Sequence, residues 1–101
     1  MFYLHTMVRI TNEEESLKFY CDILGMELVR KVESEKGRYT NYFLHAPEDK
    51  DNYHSKKAPA LELTYNWDPE DYTGGRNFGH LAYRVDTVSY THLRAHETCT
   101  N

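Results

Sequence analysis

The first residues of the chain alternate apolar and polar side chains with the period of a β-strand. Over residues 2–10, one face carries Phe2, Leu4, Val8 and Ile10, and the other carries Tyr3, His5, Met7 and Arg9. A period of two places successive side chains on opposite faces of a strand. The pattern therefore predicts a strand with one face on an apolar core and the other on polar groups.

A helical period follows this strand. Asn12 with Glu15 resembles a capping box, and the acidic run at residues 13–15 suits the positive end of a helix. Apolar residues then recur on one helical face at Leu17, Tyr20, Cys21 and Leu24. Gly25 is placed to end the helix in the left-handed conformation. We expect one helix of about three turns, with Cys21 as a small buried apolar residue rather than a nucleophile.

Four more strands are predicted downstream, over residues 26–33, 38–45, 60–67 and 78–85, with a turn at 34–37. The stretch from Ala46 to Lys57 is charged and has no period, which predicts a solvated loop with an exposed His54. The polar faces of the last two strands carry Glu62, Thr64 and Asn66, and His80, Ala82 and Arg84. The order strand, helix, three strands and one strand more indicates an α+β fold.

The end of the chain breaks this pattern. Residues 87–101 are weakly amphipathic and lack a clear helix cap. His92, His96 and Glu97 have the spacing of a helical metal site, but the neighbours expected of such a site are absent. The segment is similar to the peptide encoded by sequencing-adaptor DNA. We expect one domain over residues 1–86 and a foreign or disordered tail over residues 87–101.

Composition narrows the class of protein. A chain of 101 residues with 40% apolar and 14% aromatic residues can form one small domain with a core. The net charge of −4 disfavours nucleic acid or an anionic membrane as the main partner. No secretory signal is recognised, and no segment approaches the ~20 apolar residues that span a bilayer. Only Cys21 and Cys99 are present, which argues against a disulfide framework and for a cytoplasmic location.

Three residues on predicted strands carry the candidate chemistry: His5, Glu62 and His80. Two imidazoles and a carboxylate on rigid strands supply the nitrogen and oxygen donors that a borderline divalent metal prefers. A carboxylate between Leu61 and Leu63 is costly to bury without a counter-charge or a metal. Each residue alone would be explained by an exposed sheet face. Together, with polar neighbours suited to anion binding, they predict a metal site.

The chain contains four distinctive blocks: Leu4-His5-Thr6-Met7-Val8-Arg9, Ser16-Leu17-x-Phe19-Tyr20 running to Leu24-Gly25-Met26, Leu61-Glu62-Leu63-Thr64-Tyr65-Asn66-Trp67, and Phe78-Gly79-His80. These blocks resemble lactoylglutathione lyase (glyoxalase I), of the vicinal oxygen chelate superfamily. They occur in order over residues 2–86. The resemblance implies a βαβββ module plus the first strand of an incomplete second module. It also implies a metal held by His5, Glu62 and His80, and glutathione held by Arg9, Asn66 and Arg76.

The resemblance also implies an activity. This carbon-sulfur lyase isomerises the hemithioacetal of methylglyoxal and glutathione to S-lactoylglutathione, as a homodimer that completes the sites. Glu62 would take part in proton transfer. The histidine at the first ligand position, with no large insertion between Glu62 and His80, resembles the bacterial branch that favours nickel or cobalt over zinc. The family's fourth ligand, a catalytic Glu on a late strand, has no counterpart in this chain, so we expect the 101-residue chain to be weakly active or inactive.

Two other functions remain open from the sequence. An extradiol dioxygenase of the same superfamily would use His5, His80 and Glu62 as a two-histidine, one-carboxylate iron site. That class usually takes its carboxylate from a late strand, and it has no use for Arg9, Asn66 and Arg76 together. A non-catalytic module that binds a small molecule is the second alternative. Ring cleavage of a catechol with Fe(II) would identify the first, and tight ligand binding without metal affinity would identify the second.

Overall fold

The computed structural model describes residues 1–84, which form one five-stranded mixed sheet with two helices. The strands are β1 Phe2–Ile10, β2 Glu27–Ser34, β3 Tyr39–His45, β4 Ala60–Asn66 and β5 Phe78–Arg84, and the helices are α1 Glu13–Leu17 and α2 Lys50–Lys56. The five predicted strands and the α+β class are confirmed. The predicted domain boundary at residue 86 and the tail at 87–101, including His92 and His96, lie outside the described residues.

The strand order is β2-β3-β4-β1-β5, so the first strand of the chain lies inside the sheet. β1 pairs with β4 in parallel and with β5 in antiparallel orientation. The remaining neighbours, β2 with β3 and β3 with β4, are antiparallel. β1 therefore has neighbours on both sides that are contributed by much later parts of the chain. No helix within residues 1–84 is long and apolar enough to cross a membrane.

The core lies between the sheet and the helix that follows β1. Its buried members are Ile10, Tyr42, Leu44 and Leu63, with Leu17, Tyr20 and Cys21 of the helical segment packed against them. The Tyr42 hydroxyl donates a hydrogen bond to the Glu13 carboxylate at the start of α1. Burial, assisted by this carboxylate, raises the pKa of Tyr42. The bond ties the start of the helix to the sheet.

The first helix begins as predicted and then departs from the predicted stripe. The Asn12 side chain accepts a hydrogen bond from the backbone N–H of Glu15 at 2.9 Å, and Gly25 ends the segment with φ 82°. However, α1 passes into a π-helical segment, Lys18–Ile23, in which Leu24 N–H donates to Phe19 C=O at 3.0 Å. The wider turn rotates later side chains off the α-helical stripe. Leu24 is therefore 54% exposed, and its predicted place on the apolar face was wrong.

The charged stretch after β3 is helical, contrary to the loop predicted for it. It contains a 3-10 turn at Pro47–Asp49 and then α2. Tyr53 of α2 is only 2% exposed, and its ring centroid lies 5.5 Å from that of His45 at the end of β3. A helix that buries one residue has no apolar period to read from sequence. The predicted exposure of His54 is confirmed.

A bulge in β1 reverses the predicted faces of its first residues. Leu4 is an extra residue between registered pairs of β1 and β5, so Phe2 opposes Arg84 and Tyr3 opposes Tyr83. Registered partners share a face of the sheet, and each inserted residue reverses the alternation. Phe2 consequently lies on the polar face and Tyr3 on the other, the opposite of the prediction.

Candidate metal centre

Three side chains from three strands meet on one face of the sheet. His5 Nε2 lies 3.1 Å from Glu62 Oε1 and 2.9 Å from His80 Nε2. One donor atom from each of the three lies within 4.8 Å of the others. Ligands at right angles around a cation, with bonds of about 2.1 Å, are separated by about 3.0 Å. The spacing and the N/O donor set therefore fit a divalent metal.

The pairing of β1 with both neighbours explains this convergence. Met7 is the registered partner of Glu62 in β4 and also of His80 in β5. Side chains alternate along a strand, so His5 shares the face of Met7, two residues earlier. The Glu62 carboxylate on β4 and the His80 imidazole on β5 therefore reach the same position from opposite sides of β1.

A second bulge, at Gly79, sets the position of His80. The register passes from Met7–His80 to Val8–Phe78, which leaves Gly79 as the extra residue of β5. A Cβ on Gly79 would contact the Met7 side chain and would lie 2.8 Å from the Met7 carbonyl oxygen. Only glycine leaves room for this close approach of the two backbones. The bulge turns His80 onto the face that carries His5.

The carboxylate of the site is buried and hydrogen-bonded. Glu62 is 6% exposed, and its Oε2 lies 3.2 Å from the Thr64 hydroxyl. The same hydroxyl lies 2.8 Å from the side-chain amide of Asn41 in β3. A buried carboxylate is costly unless it is paired or hydrogen-bonded. Here Thr64 serves one oxygen of Glu62 and His5 faces the other.

The site favours neutral imidazole at His5. Burial lowers the pKa of His5, Glu62 opposes this shift, and His80 and Arg30 lower the pKa further. Neutral imidazole has the free lone pair that a metal ligand needs. The electrostatics of the site therefore suit metal coordination near neutral pH.

A cavity of about 350 Å³ lies beside these donors. Its walls include Glu62, His80, Arg9 and Asn66. Arg9 Nη1 donates to the carbonyl oxygens of Arg76 and Phe78, each at 3.2 Å, and Asn66 Nδ2 donates to the Tyr72 hydroxyl at 2.9 Å. Two of the three residues predicted to hold glutathione thus lie on the same cavity as the metal donors.

The third predicted glutathione residue lies elsewhere. The Arg76 side chain is in the loop before β5, where its Nε donates to Glu70 Oε2 at 2.7 Å. Arg76 is exposed and is not among the residues that line this cavity. The residues of β4 and β1 reach the cavity because they are fixed by strand register, whereas Arg76 is placed by a loop.

Other residues on this face were not identified from the sequence. The Phe43 ring centroid lies 5.9 Å from that of His5, and the Arg30 guanidinium lies 4.1 Å from the same Phe43 ring. Phe43 is the registered partner of Glu62, and Asn41 is that of Thr64. The polar Asn41 within the aromatic strand β3 was the available signal. Its importance depends on the register of β3 against β4, which the sequence does not reveal.

A sequence model of the Glyoxalase/Bleomycin resistance protein/Dioxygenase superfamily matches residues 3–100. The chain belongs to this superfamily. The glyoxalase fold accounts for the βαβββ order and for the additional strand that pairs with β1. The family implies a divalent metal, and among residues 1–84 the donor atoms of His5, Glu62 and His80 are close enough together to hold one.

Two curated relatives of this glyoxalase-superfamily chain are named lactoylglutathione lyase, one of them as probable. The chain is 41% identical over 91 residues to a probable lactoylglutathione lyase of Synechocystis sp., and the match covers 90% of this chain and 65% of that protein. It is 43% identical over 83 residues to a lactoylglutathione lyase of Neisseria meningitidis serogroup A, covering 82% and 56%. The chain thus spans 56–65% of the length of these relatives.

A solved structure agrees with these relatives. The trypanothione-dependent glyoxalase I of Leishmania major is 35% identical, with a TM-score of 0.58, over 93% of this chain and 65% of that one. The recognition of a glyoxalase I-like sequence is confirmed by these similarities. They do not favour the extradiol dioxygenase or the non-catalytic module.

Proposed function

We propose that this chain carries the metal-binding and glutathione-binding residues of a lactoylglutathione lyase. The proposed reaction converts the hemithioacetal of methylglyoxal and glutathione into S-lactoylglutathione. The observation that carries the proposal is the meeting of His5, Glu62 and His80 beside the cavity that Arg9 also lines. The relatives named lactoylglutathione lyase support the choice of reaction.

In this proposal the three donors hold a divalent cation, with nickel or cobalt favoured and zinc possible as a third choice. Such a cation supplies Lewis-acid stabilisation of the negative charge that develops on substrate oxygens. The neutral His5 and the hydrogen-bonded Glu62 are pre-arranged donors for it. Three protein ligands leave further coordination positions open for other groups.

Arg9 and Asn66 are proposed to orient the glutathione portion. The two Nη1 hydrogens of Arg9 are used by the carbonyl oxygens of Arg76 and Phe78, which fixes the guanidinium at the cavity. Among the bonds within residues 1–84, the Nη2 and Nε groups keep three N–H donors without an acceptor, and a glutathione carboxylate matches this forked geometry. The Asn66 side chain donates to the Tyr72 hydroxyl, which holds its amide in place. We propose that this amide forms hydrogen bonds with the peptide groups of glutathione.

We propose that Arg76 binds a glutathione carboxylate in place of its present partner, Glu70. Its ion pair with Glu70 is exposed, with 63% of the Arg76 side chain accessible. Exposed pairs of this kind stabilise a protein by about 0–1 kcal/mol. A glutathione carboxylate can therefore replace Glu70 at small cost.

Glu62 is the proposed proton carrier among the described residues. The isomerisation removes a proton from the carbon next to the carbonyl and returns one to the neighbouring carbon. A carboxylate does this when it lies within hydrogen-bond reach of both carbons. Glu62 supports this role because it lines the cavity and is almost completely buried.

Homodimerisation in a cytoplasmic setting completes the proposal. β5 lies at the edge of the described sheet, and Phe78, Leu81 and Tyr83 on it are each more than half exposed. Apolar side chains on an open strand favour burial against a further protein surface. Sedimentation at increasing concentration measures this association.

The reaction is tested by incubating protein with methylglyoxal, glutathione and Ni²⁺, and by detecting S-lactoylglutathione with mass spectrometry. We expect product from the gene product that carries this sequence and little from the 101-residue chain alone. A Glu62→Gln variant should abolish product, whereas Arg38→Ala, at an exposed ion pair with Asp68, should not. Absence of product from the whole gene product would contradict the proposed reaction.

A further inference from the structure

A short line of hydrogen-bonding groups runs from β3 to the buried carboxylate of β4. Asn41 Oδ1 lies 2.8 Å from Thr64 Oγ1, which lies 3.2 Å from Glu62 Oε2. Asn41 and Thr64 are registered partners on adjacent strands, and Thr64 follows Glu62 by two residues on the same face. Strand geometry, rather than flexible loops, fixes the three groups.

The number of available protons decides which group donates and which accepts in this line of hydrogen bonds. The Thr64 hydroxyl has one proton, and an ionised Glu62 can only accept. The amide oxygen and nitrogen of Asn41 exchange places by a 180° rotation about the terminal bond. In the structure, Asn41 Oδ1 and Glu62 Oε2 both face the single proton of the Thr64 hydroxyl. After the rotation, Asn41 Nδ2 would donate to the hydroxyl and the hydroxyl would donate to Glu62 alone, so that every group is satisfied.

The consequence concerns how Glu62 meets the metal. Thr64 occupies Oε2, and Oε1 lies 3.1 Å from His5 Nε2. Glu62 and Thr64 are both less than 10% exposed, so water competes little for these positions. The carboxylate is held edge-on, with one oxygen turned to the histidines and the other turned away.

We infer that Thr64 and Asn41 are positioning residues that hold Glu62 as a one-oxygen metal ligand. The inference rests on the proposed metal role of His5, Glu62 and His80. Partners that orient a ligand in this way typically change metal affinity about 10–100-fold when removed. A one-oxygen carboxylate also leaves more of the coordination sphere for substrate oxygens than a two-oxygen carboxylate.

The test uses the 101-residue chain with Ni²⁺ and Co²⁺ alone, without substrate. Calorimetry should give a Ni²⁺ dissociation constant at least about tenfold weaker for Thr64→Val than for the unaltered chain. Asn41→Leu should weaken binding in the unaltered background and add nothing to Thr64→Val, because both act through one line of bonds. Release of Oε2 should also alter the visible spectrum of bound Co²⁺, which reports ligand number.

Two controls separate positioning from folding. Thr64→Ser keeps the hydroxyl and should keep the affinity. Thr40→Val removes a buried β3 hydroxyl that accepts from Trp67 Nε1 at 2.9 Å, but Thr40 lies on the opposite face. It should lower the thermal midpoint without changing the Ni²⁺ dissociation constant or the Co²⁺ spectrum.

Unchanged Ni²⁺ affinity and an unchanged Co²⁺ spectrum in Thr64→Val would overturn this inference alone. Equal losses in Thr64→Ser and Thr64→Val would also overturn it, since packing of the side chain and not its hydroxyl would then be responsible. Failure of the unaltered chain to bind Ni²⁺ would overturn the proposed metal role and this inference with it.

Discussion

The Nε2 atoms of His5 and His80 lie 2.9 Å apart, although 75 positions separate them in the chain. Two imidazoles at this distance either share a proton in a hydrogen bond or point their lone pairs at a common partner. The adjacent Glu62 oxygen, 3.1 Å from the same His5 nitrogen, adds a third donor at the spacing that a shared cation requires. This relationship generates the first prediction.

Removing either histidine should abolish strong metal binding. We expect His5→Ala and His80→Ala each to weaken Ni²⁺ binding by more than the roughly 10–100-fold that follows loss of a supporting residue. His54→Ala is the matched control, since His54 is an exposed histidine of α2. Calorimetry with Ni²⁺ measures all three. Equal affinities for His80→Ala and His54→Ala would show that the two strand histidines do not share a cation.

Adding one methyl group at Gly79 should disturb both folding and metal binding. Its Cβ would lie 2.8 Å from the Met7 carbonyl oxygen, so β5 must shift and carry His80 away from His5. We expect Gly79→Ala to lower the free energy of unfolding by about 1–3 kcal/mol and to weaken Ni²⁺ binding. Urea unfolding and calorimetry measure the two effects.

Gly25→Ala provides the comparison for that experiment. Gly25 has φ 82° and open space around it, so alanine adds backbone strain of about 1–2 kcal/mol without a collision. Its Ni²⁺ affinity should match that of the unaltered chain. If Gly79→Ala loses stability but keeps its Ni²⁺ affinity, the bulge at Gly79 is not what positions His80.

Tyr53 should anchor α2 to the sheet. It is almost completely buried beside His45, although the helix around it is otherwise polar. Truncation of a large buried aromatic ring costs about 3–5 kcal/mol, so Tyr53→Ala should be strongly destabilised. Tyr53→Phe keeps the ring and should unfold close to the unaltered chain in urea. Equal midpoints for the Ala variant and the unaltered chain would show that α2 does not depend on this contact.

Cys21 should react slowly with alkylating agents. Burial raises the pKa of the Cys21 thiol, the neighbouring Asp22 raises it further, and a backbone hydrogen bond from Leu28 opposes the shift. The thiolate is the reactive form, so a raised pKa lowers its fraction at every pH below that value. Iodoacetamide at pH 8, followed by peptide mass spectrometry, should label Cys21 more slowly than an unfolded peptide of the same sequence. Equal rates would contradict the half-buried placement of Cys21.

The sequence predicted the strands because β1, β4 and β5 carry regular alternation, and it predicted the donors because His5, Glu62 and His80 stand out on apolar strands. The geometry in which these three side chains meet depends on more than the alternation. The bulges at Leu4 and Gly79 decide which side chains share a face. A glycine within a strand is a local signal for the second bulge, but no local pattern marks the first. A one-residue change of register reverses every side chain beyond it.

The remaining differences arise from tertiary packing. The π-helical turn removes Leu24 from the core, and the single buried contact of Tyr53 stabilises a helix where charge predicted a loop. Arg76 illustrates a further limit, because a loop residue has no period and its partner Glu70 lies only six positions away. Asn41 was overlooked for the same reason as the bulges: its role depends on the strand beside it.

The pairing of β1 with β5 has a consequence for how the molecule assembles. β1 cannot complete its pairing until β4 and β5, which follow it much later in the sequence, are available, and loop closure over such separations slows folding. His80 therefore reaches His5 only when β5 has paired with β1. The rate at which a cation binds during refolding would therefore report the pairing of β5 with β1. It would distinguish a complete sheet from a collapsed precursor.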